Sequence, residues 1–400
     1  MKRTGWVIFS AAAIVTIAMG VRQAFGLFLP DMSTDLGIGR SSFGLSLALQ
    51  NLLFGLAQPF VGALADRHGA GRVVAGGTLL YAAGLLAASV AGDAIGLHLS
   101  FGLMVGMALS ATTFVVVLGA VGRVVTPERR SMAFGIVTAG GSLGQFLVVP
   151  AGQLLIGVLG WRIALVALAG LIAVMLALAV GVSGKPATNG PQGSGDGQTL
   201  RQALGEAAGN RGFWLLNAGF FVCGFHVAFI ATHFPAYLTD KGLGLAIGAN
   251  ALALVGLFNI FGSYLFGVWG GRWSKKGLLA ALYAARAVVM IAFLAAPLSP
   301  VSALLFAAAM GFLWLGTVPL TSGLVGQIFG MRYLSTLYGI VFLGHQLGSF
   351  CGAWIAGLMF DWTGSYDSIW VASVALGFIA ALLHLPISEQ PVARLREAAA

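Results

Sequence analysis

Residues 163–183 read IALVALAGLIAVMLALAVGVS, and residues 288–331 form a second, longer stretch without a charged side chain. A helix rises about 1.5 Å per residue, so about 20 apolar residues cross the ~30 Å of hydrocarbon in a bilayer. The chain as a whole is 58% hydrophobic and 8% charged, whereas a soluble domain carries roughly 25% charged residues. The sequence therefore predicts an integral membrane protein.

Apolar runs of this kind, separated by glycine, proline or polar residues, predict an all-α membrane protein with twelve transmembrane helices. The expected spans lie near residues 6–29, 43–64, 73–91, 97–121, 131–158, 161–183, 212–238, 246–269, 277–297, 300–326, 333–360 and 365–386. Six spans fall in residues 1–183 and six in residues 212–386, which predicts two six-helix bundles. The linker, residues 184–211, contains NGPQGSGDGQ, a composition too poor in apolar residues to fold alone. Residues 387–400 are expected to form a tail.

The basic residues predict which side of the membrane each loop faces. If the N-terminus is cytoplasmic, all but five of the 21 Lys and Arg residues lie in cytoplasmic loops or tails. The exceptions are Arg40, Arg162 and Lys241 outside, and Arg22 and Arg286 within spans. Because cytoplasmic loops are enriched in Lys and Arg, we expect both termini in the cytoplasm. The net charge of +9 then reflects topology, and no nucleic-acid partner is expected.

The two predicted bundles repeat one another in sequence. At an offset of 204 residues, the matching pairs are Gly135 and Gly339, Gly140 and Gly344, Leu143 and Leu347, Gly144 and Gly348, and Gly160 and Gly364. At an offset of 205, Pro30 matches Pro235 and Gly62 matches Gly267. A parallel repeat of this kind places a substrate site between the halves, near the middle of the bilayer. The paired glycines of the fifth and eleventh helices are expected to let the two halves approach each other.

The loop between the second and third helices carries the most specific motif. Residues 62–72, GALADRHGAGR, resemble the signature loop of the major facilitator superfamily, and residues 267–276, GVWGGRWSKK, are a degraded copy in the second half. The resemblance implies a twelve-helix transporter. Asp66 opposite Arg67 and Arg72, with Arg272 in the second loop, could pair in one conformation and separate in another, which predicts a gate. Membrane anchoring alone explains the arginines but not the acid.

The end of the eleventh helix suggests a branch within this superfamily. Residues 344–366, GHQLGSFCGAWIAGLMFDWTGSY, resemble the monocarboxylate and oxalate/formate porters. Two departures stand out: residues 259–264, NIFGSY, lack the branch's substrate-binding arginine of helix 8, and residues 21–26, VRQAFG, replace its acidic and aromatic opening of helix 1. A carboxylate would therefore have to be bound by a rearranged charge.

Arg22 is the main candidate for that charge. It lies roughly 24 Å along the first helix from its start, where a charge is costly and normally faces a cavity or a partner. The alternative is an arginine whose side chain extends to the outer surface. Arg286 on the ninth helix is the only other charge inside a span, and its closeness in sequence to Lys276 favours a structural role.

Polar side chains on other helices extend this candidate site. His226, His233 and Tyr237 share one face of the seventh helix, and the repeat puts His226 at a depth similar to that of Arg22 in the opposite half. A helical histidine is otherwise a hydrogen-bonded packing residue. The remaining substrate-binding candidates, each of which could equally bond to another helix, are His345 and Gln346 on helix 11, Gln145 on helix 5, Asn51 on helix 2 and Asn259 on helix 8.

All twelve Asp and Glu residues fall in predicted loops, tails or helix ends. Without a carboxylate in mid-membrane, Na⁺ coupling is not expected, and a proton would be carried by histidine or by the substrate's own acid group. The sequence lacks a phosphate-binding Gly-Lys-Ser/Thr loop and the spacing of metal ligands, and Cys223 and Cys351 fall within apolar helices. We therefore expect no enzyme activity, no cofactor and no metal site.

These observations predict a secondary active transporter of a small organic anion, such as a mono- or dicarboxylate, coupled to protons and working by alternating access. The alternative is a proton-driven efflux pump for amphipathic compounds, although Gln145 follows Gly144 where efflux branches carry proline. A receptor or structural subunit has little use for the signature loop and the repeat. We expect a monomer in an inner membrane of the bacterial type, with the anion, the proton and the lipid bilayer as partners.

Overall fold

The computed structural model describes residues 2–183 and 198–397. Within these residues, eleven helical segments are long and apolar enough to cross a membrane. One of them, Pro127–Ala179, contains Gly160 with φ 76° and ψ 162°, a backbone conformation through which a helix cannot continue. Because Gly160 divides this segment into two helices, the described chain has twelve spans. The predicted all-α fold of twelve transmembrane helices is confirmed.

The labels α1 to α12 denote these spans in chain order. They are α1 (Lys2–Gln23), α2 (Arg40–His68), α3 (Ala70–Ser89), α4 (Ala94–Val124), α5 (residues 127–159), α6 (residues 161–179), α7 (Arg211–Asp240), α8 (Leu245–Gly270), α9 (Lys275–Ala295), α10 (Pro300–Phe329), α11 (Leu334–Thr363) and α12 (Asp367–His384). Shorter helical segments are Phe25–Phe28, Leu29–Asp35, Leu200–Ala208 and Ala393–Glu397.

The predicted linker is partly helical. Most of its glycine-rich run lies outside the described residues, but Leu200–Ala208 forms a helix that begins at a capping box made by Thr199 and Gln202. Glu206 of this helix accepts a hydrogen bond from Arg394 at 3.4 Å. The end of the linker and the tail of the chain are therefore in contact beside the second bundle.

Two spans are interrupted near their middles. In α4, a π-helical stretch, His98–Met104, precedes a break at Thr113, where the backbone is extended. In α10, the helices Pro300–Phe312 and Thr317–Phe329 are separated by a short irregular segment. Breaks in spanning helices expose backbone groups that must find partners inside the protein, and the partners at the α10 break are described below.

The paired glycines of the repeat hold helices together within each half. A side chain at Gly144 would collide with the backbone oxygen of Thr16 in α1, and one at Gly348 would collide with the backbone oxygen of Phe221 in α7. These contacts join α5 to α1 and α11 to α7, so they obey the sequence repeat. The expectation that these glycines join the two halves was wrong, because each of them packs against a helix of its own bundle.

Different positions let the halves approach each other. The bundles meet along two helix pairs, α2 with α11 and α5 with α8. Gly135 of α5 faces Gly267 of α8 so closely that an added Cβ would overlap the opposite backbone. At the other pair, Gly55 of α2 packs directly against Gln346 of α11.

Hydrogen bonds between the halves occupy only part of the membrane depth. Twelve spans return the chain to the side on which it began, and we call that side the terminal face. The bonds run from this face to the middle of the helices: Ser131 with Gly267, Asp66 with Thr336, Gln145 with Leu252, and Gln346 with Asn51. No hydrogen bond between described residues joins the halves nearer the opposite face. The two halves are therefore bonded to each other at the terminal face, and we call this face sealed.

The packing at Gly144 predicts a stability difference between two glycines of one helix. Gly144→Ala should lower the midpoint of thermal unfolding in detergent, because overpacking costs about 1–3 kcal/mol and exceeds the gain in helix propensity of at most about 1 kcal/mol. Gly157→Ala, where a Cβ meets no atom within 4 Å, is the matched control and should be neutral or stabilising. Equal midpoints for the two variants would contradict the close α1–α5 contact.

Candidate functional site

Arg22 lies at the last turn of α1, where the helix gives way to the segment Phe25–Phe28. Its side chain is half-buried, and one terminal nitrogen donates a hydrogen bond to Oδ1 of Asn51 in α2 at 2.5 Å. The guanidinium carbon stands 5.9 Å from the ring centre of Phe54. The Nε donor is buried and has no hydrogen-bond partner. Arg22 is thus a cation whose described contacts are neutral and whose donors are not all used.

Asn51 connects Arg22 to the second half of the protein. The backbone oxygen of Asn51 accepts a hydrogen bond from Nε2 of Gln346 at 3.3 Å, and Oε1 of Gln346 lies 2.8 Å from Nδ1 of His345. Because an amide oxygen can only accept, His345 carries its proton on Nδ1. Its other nitrogen, Nε2, is buried without a partner. Four of the predicted site residues therefore form one hydrogen-bonded chain across α1, α2 and α11.

Gln145 lies at the other contact between the halves. Its Nε2 donates to the backbone oxygen of Leu252 in α8 at 3.1 Å, and its side chain packs on Gly256. Gln145 thus joins α5 to α8 at the middle of the membrane. It is not part of the chain that begins at Arg22.

The predicted face of α7 exists, but it packs within its own bundle. His226 is fully buried, and its Nε2 lies 2.8 Å from the backbone oxygen of Ser373 in α12. Nε2 of His233 lies 2.8 Å from the backbone oxygen of Ala353 in α11. The ring of Tyr237 is 5.6 Å from that of Trp370 in α12. These contacts suit packing residues, and the structure does not bring the three side chains to Arg22. Their substrate-binding role stays a prediction.

Asn259 and Arg286 both bind the backbone at the break in α10. Oδ1 of Asn259 accepts a hydrogen bond from the backbone nitrogen of Leu315 at 2.9 Å. The guanidinium of Arg286 donates to the backbone oxygen of Leu313 at 3.1 and 2.8 Å and to that of Trp314. The last carbonyls of a helix have no partner within it, so these side chains stabilise the interruption. This agrees with the structural role expected for Arg286.

Asp66, for which the sequence predicts a gating role, bridges the two halves at the terminal face. It forms an ion pair with Arg123 of α4 at 2.8 Å and accepts hydrogen bonds from the backbone nitrogen and the hydroxyl of Thr336 at 3.2 and 3.0 Å. Thr336 lies in the first turn of α11, where free backbone N–H groups and the helix dipole favour an anion. Asp66 thereby fastens α2 to the start of α11.

The partner of Asp66 differs from the one expected. Arg67 and Arg72 are exposed, as is Arg272 in the matching loop of the second half. Successive helical residues point about 100° apart, so Arg67 turns away from the carboxylate that precedes it. Arg123 was missed, although it is the only charged residue of α4 and ends that helix at the terminal face. Thr336 gives no signal in the sequence.

Comparison with known proteins agrees with this architecture. The family model described as Major Facilitator Superfamily matches residues 11–350. The chain belongs to the Major Facilitator Superfamily. It is 25% identical to monocarboxylate transporter 12 of Rattus norvegicus, over 94% of this chain and 85% of that protein. It is 27% identical to human monocarboxylate transporter 11, over 95% and 82%, and 26% identical to the uncharacterized MFS-type transporter YhjX of Escherichia coli (strain K12), over 88% and 87%.

The contacts of Asp66 predict a local effect of removing its charge. Asp66→Asn loses the ion pair with Arg123, and a hydrogen bond to a charged group is worth about 1.5–3 kcal/mol. Hydrogen–deuterium exchange of the peptide covering residues 331–340 should therefore become about tenfold faster or more. Asp35→Asn is the matched control, because Asp35 pairs with Arg162 at 3.0 Å within one half. Unchanged exchange in Asp66→Asn, or an equal change in Asp35→Asn, would show that Asp66 does not hold α2 to the start of α11.

Proposed function

We propose that this superfamily member is a secondary active transporter of a small organic anion, a mono- or dicarboxylate, that works by alternating access with proton coupling. The observation that carries the proposal is the charge of Arg22, which bonds to Asn51 beside the contact between α2 and α11. No ion pair between described residues reaches this guanidinium, and one of its donors is free.

A guanidinium stays protonated at any working pH, and a charge taken out of water costs several kcal/mol unless it is paired. Asn51 and the Phe54 ring supply a neutral hydrogen bond and a cation–π contact, which offset part of that cost. A substrate carboxylate would supply the missing negative charge and accept two hydrogen bonds from one guanidinium. Arg22 would thereby replace the substrate-binding arginine that residues 259–264 lack.

The names of the relatives support the substrate class. Two of the proteins compared above are monocarboxylate transporters, and the matches extend over nearly the whole of this chain. Identities near 25% do not carry a particular substrate across, so the proposal is limited to small organic anions. Uptake, rather than efflux of amphipathic compounds, is the direction it assumes.

The contacts between the halves support alternating access. The positive-inside pattern would turn the terminal face toward the cytoplasm. The membrane would be an inner membrane of the bacterial type. The sealed terminal face would then close the path to the cytoplasm. A rocking motion would break the bonds of Asp66 and Ser131 and release substrate to the cytoplasm.

The coupling ion can be tested without knowing the mechanism in detail. Uptake of the preferred carboxylate into proteoliposomes should be equal in Na⁺ and K⁺ media, because all twelve Asp and Glu residues fall in predicted loops, tails or helix ends. Uptake should rise as external pH falls from about 8 to about 6, the range in which histidine titrates. A requirement for Na⁺ would show that the coupling assignment is wrong.

Binding measurements on three arginine variants test the anion site. Lactate, pyruvate, oxalate and succinate would be titrated into purified protein by calorimetry. Arg22→Lys keeps the charge but loses the bidentate hydrogen bonding to a carboxylate. It should reduce the binding free energy of the best anion by roughly 1–3 kcal/mol. Arg22→Gln should abolish binding. Arg162→Gln, an arginine of the same half that pairs with Asp35, is the matched control and should bind normally.

Wild-type affinity in Arg22→Gln would place the anion elsewhere. Absence of anion binding in the unmodified protein, together with binding of amphipathic cations or neutral drugs, would favour the efflux alternative.

A further inference from the structure

A second polar cluster lies inside the C-terminal bundle, around the thiol of Cys223. The Cys223 side chain is fully buried in α7. Its sulfur lies 3.5 and 3.6 Å from the two terminal nitrogens of Arg286 in α9 and 3.2 Å from the hydroxyl of Thr317 in α10. The guanidinium therefore directs Nη1 at the sulfur, while Nη2, which also donates to the α10 break, lies at a similar distance.

Two further groups lie beside the same sulfur and lack other partners: the hydroxyl of Tyr283 and Nε2 of His345. The hydroxyl of Tyr338 is also buried without a partner, and it interacts electrostatically with the thiol. The residues come from α9 and α11 and expose at most 6% of their surface. A neutral thiol is a weak acceptor, so it makes poor use of the guanidinium nitrogens and the Tyr283 phenol. A thiolate would use them all.

The charge balance of the bundle leads to the same assignment. Arg286 has no exposed surface, and no ion pair between described residues reaches it. The peptide oxygens of Leu313 and Trp314 offer only the partial charge of a helix end. Of the side chains that contact Arg286, Cys223 is the one whose ordinary pKa allows an anion near neutral pH.

We propose that Cys223 is held as a thiolate that serves as the buried counterion of Arg286, and that a proton taken up by this thiolate passes to His345. Nδ1 of His345 already donates to Gln346, so Nε2 keeps its lone pair and has no other partner. In the transfer the S–H bond breaks, its electron pair stays on sulfur, and an N–H bond forms at Nε2. The unprotonated pair is thiolate with imidazole, and the pair with one added proton is either thiol with imidazole or thiolate with imidazolium.

The titratable groups around this pair are few. On its own helix, α7, His226 lies near Arg286. Tyr283 and Arg286 face it from α9, Tyr338 and His345 face it from α11, and His384 of α12 stacks on Tyr283 with ring centres 5.1 Å apart. The nearby polar residues of α8 and α10, Asn259 and Thr317, do not titrate in the working range. Of these groups, His345 alone is hydrogen-bonded to the chain that leads to Arg22.

This inference rests on the proposed function for its role in transport. His345 is linked through Gln346 and Asn51 to Arg22, so a proton gained or lost at the Cys223–His345 pair changes the chain that holds the anion site. The Cys223–His345 pair would thus be a titratable group inside the membrane, where the sequence predicts no Asp or Glu.

Infrared spectroscopy of the S–H stretching band tests the ionisation without any substrate. The chain has two cysteines, so Cys351→Ala leaves only Cys223, and Cys223→Ala leaves only the half-exposed Cys351. At neutral pH we expect the band in Cys223→Ala protein and its absence in Cys351→Ala protein. Acidification should make it appear in the latter. An S–H band of equal strength in both proteins at neutral pH would overturn the proposal.

The role in coupling has a separate readout. Cys223→Ser keeps a hydroxyl of similar size that does not ionise, and should flatten the dependence of anion affinity on pH between about 6 and 8. A slope equal to that of the unmodified protein would show that the thiolate is not the coupling group. If no anion binds to any variant, the proposed function fails, while the infrared result still decides the state of Cys223.

Discussion

The need to pair a permanent positive charge inside a membrane is the constraint on which this structure depends. Arg22 and Arg286, the two arginines that the sequence places inside the membrane, have different surroundings in the structure. Arg286 is fully buried and has its donors directed at the end of a broken helix and at a sulfur. Arg22 is half-buried, and it has a neutral partner, Asn51, and a free donor. Asn51 in turn meets Gln346 of the other half. The first arrangement is complete within the protein, whereas the second lacks the anion that the proposed function would supply.

The helix pair α2–α11 joins this site to the gate. Asn51 and Gln346 meet at mid-membrane, and Asp66 meets Thr336 at the terminal face, on the same two helices. A movement that separates α2 from α11 at the terminal face must therefore also change the chain that holds Arg22. The pair α5–α8, with Gly135 against Gly267, provides the second contact surface about which the halves can move. In the proposed mechanism, substrate binding and gate opening would thus depend on one interface.

The fold was predictable because it follows from patterns that the sequence repeats. Charge-free runs, the glycine breaks and the offset of 204 residues fixed twelve spans in two bundles. The sequence also identified Arg22, Asn51, His345 and Gln346 as polar groups of mid-membrane, and the structure brings these four together. Periodicity shows which residues share a helix face, but not which neighbouring helix that face meets. For this reason the packing alone shows which helix Gly144 contacts, what surrounds His226 and which residue pairs with Asp66.

The central claim is that Arg22 binds the transported anion at the contact between the halves. The most direct measurement is an experimental structure of the protein with its best-bound carboxylate present. The account predicts that the carboxylate oxygens lie about 3 Å from the guanidinium nitrogens of Arg22, between α1, α2 and α11. A carboxylate bound at full occupancy with no contact to Arg22 would contradict the account.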